Sequence, residues 1–346
     1  MQQLDYIVVG LGIAGITICE RLGALGKTFA VVNKTTESAT RVAGGTINPV
    51  VLKRLTAVWK ANGFLNEAVP FYKKLNTKLS RPFYKKTEIK RIFHNVAEQN
   101  DWGIACGNDS STGFLVPEIS KNNNPNLRAP FGFGTVQGAA FVNTTLLLDE
   151  YAAGLRSKQF LMEGAFEHQH LDISKKYITY KNIKAGKIIF AEGTGVLDNP
   201  YFGISCTVPK KGEYLIVKAP GLKLKKIVKG PFFIIPLGAG LYKIGATFMH
   251  GEGAVSTKKS RKQLITAAQK MIACNFTTVK FITGTRPTVV DKRPLLGSFN
   301  ATPNLYFFNG LGTRGLLMAP LLSKWLVDFA ENGNALPPEV DVKRFT

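Results

Sequence analysis

Tyr6-Ile-Val-Val-Gly10-Leu-Gly12-Ile13-Ala14-Gly15 is the stretch that most restricts how this chain can fold. A β-rich run meets Gly-x-Gly-x-x-Gly and passes into a helical pattern through Arg21 and Leu22. The three glycines do different work. Gly10 permits the tight turn, Gly12 lets backbone approach a pyrophosphate, and Gly15 lets the helix pack on the strand. The amides that open the helix then face an anion, helped by the helix dipole. A second β-rich run, Thr28 to Val32, ends at Asn33 and Lys34, where a ribose-binding acid is expected. An amide oxygen at Asn33 accepts a hydroxyl proton without supplying charge. A dinucleotide site is therefore expected, and Asn33 does not choose between FAD and a nicotinamide cofactor.

The chain has 346 residues, about twice an ordinary domain, so two domains are expected. It has no uninterrupted apolar run of about 18 residues, so no membrane span is expected. The opening residues read as a strand rather than a secretion signal. Cys19, Cys106, Cys206 and Cys274 are scattered, without Cys-x-x-Cys, which suits reduced thiols in the cytoplasm. His94, His168 and His170 have no metal-ligand spacing, and no metal is expected.

Helices are expected over Val58–Leu79, Thr144–Gly154 (capped by Asn143), Ser260–Ile272 and Leu316–Phe329. Strands are expected at Thr87–Phe93, Gly134–Val142, Phe160–Ile173, Tyr177–Asn182, Lys187–Ala191, Tyr214–Lys218, Phe232–Pro236, Leu241–Thr247, Thr278–Thr285 and Leu305–Asn309. Asn108–Asn126 reads as a surface loop. The order is a nucleotide-binding opening, an insertion, a return, a second insertion and a closing strand-loop-helix. Residues 1–52, 135–199 and 283–346 are expected to form the cofactor domain, and 53–134 and 200–282 a substrate domain over it.

Later motifs carry a resemblance. Thr283-Gly284-Thr285-Arg286-Pro287-Thr288 through Asp291 and Pro294 to Gly297, then Asn309-Gly310-Leu-Gly312-Thr313-Arg314-Gly315-Leu316 through Ala319-Pro320, resemble the closing motifs of the D-amino-acid oxidase family of flavoenzymes. Lys243-Ile-Gly245-Ala246-Thr247 resembles a strand of that family's substrate domain, and Ala191-Glu192-Gly193 joins the set. The resemblance implies an α/β (α+β) fold: a glutathione-reductase-like Rossmann FAD domain with a mixed β-sheet substrate domain inserted in two segments. Within the family, Gly312 to Leu316 with Ala319-Pro320, and Gly44-Gly45 to Lys53, are similar to the oxidase domain of the bifunctional enzyme of tRNA wobble-uridine (5-methylaminomethyl-2-thiouridine) biosynthesis. That domain cleaves a carboxymethyl group from a secondary amine. Glycine and sarcosine oxidases are the other relatives. They commonly carry a Tyr where this chain has Phe233, which cannot hold a carboxylate.

The resemblance implies FAD contacts from Gly10, Gly12, Ile13, Ala14 and Gly15, and from Asn33 and Lys34. It implies more from Arg41, Ala43, Gly44, Gly45 and Asn48, from Phe166 (beside the adenine, or alternatively in simple core packing), and from Ala191, Glu192 and Gly193. The closing set is Arg286, Gly310, Gly312, Thr313, Arg314, Gly315 and Leu316. Arg286 is the candidate for a substrate carboxylate, because a guanidinium fork fits it in bidentate fashion; a structural pair with Asp291 is the alternative. Arg314 and Lys53 are the other catalytic candidates, each with a structural or solvated alternative. His250, after the Gly245-Ala246-Thr247 strand, is a candidate for the pocket mouth or a surface turn.

Charge adds a further expectation. Residues 53–134 hold 13 basic and 6 acidic residues, and 200–282 hold 14 and 2, together +19 of the chain's +22. Such clustering suits a polyanion such as tRNA, or a solvated basic face. The expected activity is FAD-dependent oxidation of the C–N bond of an amine or amino acid, preferably an N-carboxymethyl-type secondary amine, free or on tRNA. A small-molecule amino-acid oxidase and a flavin-binding protein without turnover are the alternatives.

Overall fold

The computed structural model describes all 346 residues except 35–37, 109–112, 175 and 251–255; the His250 side chain also lies outside the described residues. Two sheets organise the chain. The first has eight strands, and its parallel centre runs Leu161–Glu163, Phe29–Asn33, Gln2–Val9, Ile183–Phe190 and Leu305–Asn309. Gln2–Val9 is buried on both faces over its last four residues, which is why it reads as a continuous apolar run. Tyr6 and Val8 pack with helices Ile13–Ala24, Ala61–Lys78, Thr144–Ser157 and Gly315–Asn332. Ile7 and Val9 pack on the other side with Ile188, Phe190 and Phe307. All five parallel strands end at one edge, placing Gly10, Asn33, Ala191 and Gly310 together, where ligands of open α/β sheets bind.

The second sheet has ten strands and is mixed. Its long members are Tyr84–Ile92, Phe133–Val142, Thr207–Lys218 and Thr277–Val289. Ile227–Lys229 runs parallel to Tyr84–Ile92 and antiparallel to Phe233–Gly238. The expected division at residue 135 falls inside a strand of this sheet, because Phe133–Val142 pairs along its length with Tyr84–Ile92. Thr277–Val289 likewise crosses the expected division at 283. Ladder pairing decides where such a strand belongs, and composition does not report it.

Asn143 caps Thr144–Ser157 as expected, its side chain accepting from the Leu146 amide at 3.2 Å. Val96–Cys106 is a helix that the apolar spacing did not announce; Asn95 caps it, and it buries only Trp102 and Ala105. Leu115–Ser120 is a strand inside the expected surface loop. Phe160–Ile173 is two short strands broken by a 3-10 turn at His168–His170. All four cysteines are free. Among the described residues no helix is long and apolar enough to cross a membrane.

Glu331, at the end of the last helix, bolts it to the first sheet. It pairs with Lys27, and it accepts from Lys187 Nζ at 2.6 Å and from the Tyr6 hydroxyl at 2.5 Å. Burial opposes its charge, but the hydrogen bonds from Lys187, Lys27 and Tyr6 hold the carboxyl down at about 2. A depressed carboxylate stabilises the fold above its unfolded value and loses that contribution as pH falls through the folded value. The Glu331→Gln variant is expected to be about 2–3 kcal/mol less stable than the parent at pH 7. That gap should shrink steadily from about pH 4.5 to pH 2 in denaturant titrations; a gap independent of pH would show that the pairing is not what stabilises the helix.

Candidate active site

A cleft of about 600 Å³ runs from the edge of the parallel strands to the second sheet. At its first end the glycine turn is forced by contact. Gly10 has φ +96°, and a Cβ there would lie 2.5 Å from the Ala191 carbonyl oxygen. At Gly15 a Cβ would lie 2.0 Å from the Gly10 oxygen, so Gly15 seats the helix on the turn from behind and does not line the cleft. Asn33 Oδ1 accepts from the Leu11 amide at 2.9 Å, and Thr40 Oγ1 accepts from the Ile13 amide at 3.1 Å. The Asn33 oxygen thus already braces the turn, and its second lone pair and its amide protons are what it has left for a ribose. Glu192 borders the same end. Burial pushes its carboxyl up to about 7, against a 2.8 Å hydrogen bond from Asn199. A partly protonated acid repels a diphosphate less than a full carboxylate does.

The segment from Ala43 to Lys53 forms the wall between the two sheets, and four side chains clamp its backbone. Lys243 Nζ donates to the Ala43 carbonyl at 2.8 Å, and the Gly44 amide donates to the Tyr214 hydroxyl at 3.1 Å. Arg314 donates to the carbonyls of Asn48 and of Val50, the latter at 3.0 Å. Arg91 donates to the Leu52 carbonyl at 2.5 Å. The close approach implied by Gly44-Gly45 is to the second sheet itself. A Cβ on Gly44 would lie 2.8 Å from Ile235 Cδ1, and one on Gly45 2.2 Å from the Val142 oxygen.

At the far end, Gly312 has φ +54° and its amide donates to the Pro287 oxygen at 3.0 Å. Helix Gly315–Asn332 starts beyond it without a side-chain cap, and Thr313, Gly315 and Leu316 line the cleft. An uncapped helix start leaves amides and the positive end of the dipole for an electron-rich partner.

Arg286 enters from strand Thr277–Val289 and lies across Gly212 of the neighbouring strand, where a Cβ would meet Nη2 at 2.2 Å. Its guanidinium stacks on Phe248 at 4.8 Å. Its Nη1 is buried and has no hydrogen-bond partner among the described residues. Asp291 does not pair with it: that carboxylate takes Arg344 Nε at 2.8 Å. A buried, unpaired guanidinium nitrogen facing a cleft is a vacant donor, and a carboxylate satisfies it.

Of the expected site residues, Gly10, Gly12, Ile13, Ala14, Asn33, Ala43, Gly44, Gly45, Asn48 and Lys53 line this one cleft. So do Ala191, Glu192, Gly193, Arg286, Gly312, Thr313, Arg314, Gly315 and Leu316. Gly15, Lys34, Arg41, Phe166 and Gly310 do not. Arg41 instead pairs with Asp149 at 2.6 Å. Phe166 is half-buried and stacks on Tyr180 at 4.3 Å, packed against the core on one face of the first sheet. Gly310 packs under the turn, where a Cβ would meet Val289 at 2.4 Å. Thr40, Tyr214, Lys229 and Phe248 line the cleft without having been expected to. Among the described residues no cluster suits a metal.

The elongated cleft, with a glycine turn at one end and an uncapped helix at the other, fits FAD. The helix start at Gly12 to Ala14 would take its diphosphate, Asn33 its adenosine, and Thr313 to Leu316 its ring. Comparison with known proteins agrees. Residues 5–329 match the family described as DAO, FAD dependent oxidoreductase. The chain is 24% identical to glycine oxidase of Bacillus subtilis (strain 168) over 226 residues, which are 59% of this chain and 60% of that enzyme's length. In solved structures its fold is similar to iminodiacetate oxidase from Chelativorans sp. BNC1 (TM-score 0.78, 18% identity, covering 99% of this chain and 98% of that one). It is also similar to glycine oxidase from Geobacillus kaustophilus (TM-score 0.79, 19% identity, covering 100% and 98%).

Proposed function

Because the chain belongs to the DAO family of FAD-dependent oxidoreductases, we propose that it oxidises the C–N bond of a small amine that carries a carboxylate, preferably an N-carboxymethyl secondary amine. The observation that carries this reading is the vacant Arg286 Nη1, buried in the cleft that also holds both glycine-rich turns. When bound, FAD would supply the two-electron oxidant for conversion of the C–N single bond to an imine, which water would hydrolyse. Arg286 binds and orients the carboxylate, with Gly212 giving it room. Tyr214 and Phe233 would flank the substrate, with the exposed Phe248 at the cleft mouth. Phe233 offers no hydroxyl, so Arg286 carries the carboxylate without the Tyr that glycine and sarcosine oxidases commonly place at that strand position. The names of the relatives, glycine oxidase and iminodiacetate oxidase, support amines bearing a carboxymethyl group.

A second reading puts that amine on tRNA. It rests on the exposed lysines of the second sheet's side, among them Lys85, Lys86, Lys223, Lys225 and Lys226. One experiment serves both readings: anaerobic mixing of the yellow holoprotein with glycine, sarcosine, iminodiacetate, and tRNA with or without the carboxymethylated uridine. Bleaching of the flavin by a free N-substituted glycine is the expected result. Bleaching by the modified tRNA alone would move the function to RNA. A flavin that none of them bleaches would leave the amine reading without support.

A further inference from the structure

The substrate end of the cleft holds more positive charge than one carboxylate needs. Among the described lining residues Glu192 is the one acid, and it stands at the glycine-turn end. Four cations line the same cleft: Lys53, Lys229, Arg286 and Arg314. Arg314 spends its guanidinium on the Asn48 and Val50 carbonyls. That leaves Arg286 on one side and Lys229 with Lys53 on the other.

Lys229 is placed like Arg286. It ends strand Ile227–Lys229, and its Nζ sits over the ring of Phe233 at 5.4 Å, as the Arg286 guanidinium sits over Phe248. Its hydrogen bonds go to the carbonyls of Gly230 and Pro231, which carry no compensating charge. The charge that acts on it is another cation, Arg91, which pairs with Glu98 at 3.5 Å and also donates to the Leu52 carbonyl, next to Lys53. Burial, and then Arg91, lower Lys229 to about 8. A cation held out of water beside a second cation is costly unless an anion joins it.

Register fixes the separation. Lys229 pairs with Phe233, Phe233 with Gly245, and Gly245 with Tyr214, two residues from the Gly212 on which Arg286 lies. Three strand spacings put the Lys229 and Gly212 backbones about 14 Å apart; the Lys229 Nζ lies over Phe233 and the Arg286 guanidinium over Gly212. That span suits a molecule with acids at both ends better than one glycine-sized acid.

We propose that the cleft has a second anion subsite, formed by Lys229 and Lys53, and that the substrate is a dianionic amine: an N-substituted glycine whose nitrogen substituent ends in an acid. This deepens the amine reading above and rests on it for the reaction. Arg286 takes the carboxymethyl carboxylate, the apolar walls of Phe233 and Tyr214 flank the nitrogen, and Lys229 takes the distal acid.

The test compares matched ligands on the holoprotein. Iminodiacetate is set against N-ethylglycine, and N-(2-carboxyethyl)glycine against N-propylglycine; in each pair a methyl replaces the distal carboxylate. Dissociation constants come from calorimetry under anaerobic conditions, with glutarate and pentanoate as a pair that has no amine to oxidise. The diacid of at least one amine pair, and glutarate over pentanoate, is expected to bind about tenfold tighter or more. Lys229→Met should bring that ratio near one, Lys53→Met should reduce it less, and Lys229→Arg should keep most of it, with flavin content reporting an intact fold. A parent ratio at or below one, or a ratio that Lys229→Met leaves unchanged in flavin-loaded protein, overturns the proposal. If diacids bind preferentially but no amine bleaches the flavin, the subsite stands and the amine-oxidation reading falls.

Discussion

Arg286→Met is expected to weaken binding of carboxylate substrates about 10- to 150-fold, which corresponds to ~1.5–3 kcal/mol for hydrogen bonds to a charged partner. The reason is local. Nη1 has no other partner to fall back on among the described residues, Asp291 is committed to Arg344, and Phe248 contributes a ring face and no hydrogen-bond acceptor. Arg286→Lys should recover part of the loss, since an ammonium restores charge without the fork. Gly212→Ala offers an independent approach from a residue that carries no side chain to bind anything. Its Cβ would lie 2.2 Å from Nη2, so the guanidinium must leave its seat, and affinity should fall in the same direction. Flavin content should survive all three changes. Wild-type affinity in both Arg286→Met and Gly212→Ala, measured by anaerobic titration, would remove Arg286 from the substrate site.

How much of this was legible depended on what each residue's constraint was made of. Glycines that a Cβ would push into backbone, such as Gly10 and Gly45, are visible in a sequence because no other residue fits there. Helices with a broad apolar stripe, such as Gly315–Asn332, are visible for the same kind of reason. Val96–Cys106 was not, because it buries just Trp102 and Ala105 and leaves Val96 and Ile104 exposed. Tyr214 and Lys229 reach the cleft through pairings between strands far apart in the chain, and no local pattern reports such pairings. Arg41 and Phe166 show the converse case. Both stand near flavin-type motifs in the sequence, yet one faces Asp149 and the other faces the core. Asn33 was read as a ligand group; its oxygen also braces the glycine turn through Leu11. Charge was the least informative signal. Lys53, Lys229 and Lys243 look alike among the basic residues, but Lys53 is exposed at the cleft, Lys229 is half-buried in its wall, and Lys243 is buried holding the Ala43 carbonyl.

Arg314→Leu should have the largest effect on cofactor retention, although the side chain is committed to protein rather than to the cleft. Burial lowers its guanidinium to about 10, so it stays charged at neutral pH, and its two bonds hold the Asn48 and Val50 carbonyls. Leucine fills much of the volume and donates nothing. Each carbonyl left unsatisfied in a buried place costs ~1–3 kcal/mol, so a loss of about 2–4 kcal/mol in unfolding free energy is expected. The wall from Ala43 to Lys53 would then keep the clamps from Lys243, Tyr214 and Arg91 but lose the one that joins it to the helix start at Gly315. That join sets the distance between the two surfaces that would face the flavin ring. The variant should therefore release FAD on gel filtration under conditions where the parent stays yellow, and excess FAD should restore part of its thermal stability by mass action. Arg314→Lys, with one ammonium to share between two carbonyls, should fall between the two. If Arg314→Leu kept its flavin and lost less than about 1 kcal/mol of stability, the wall would owe its position to the second sheet alone.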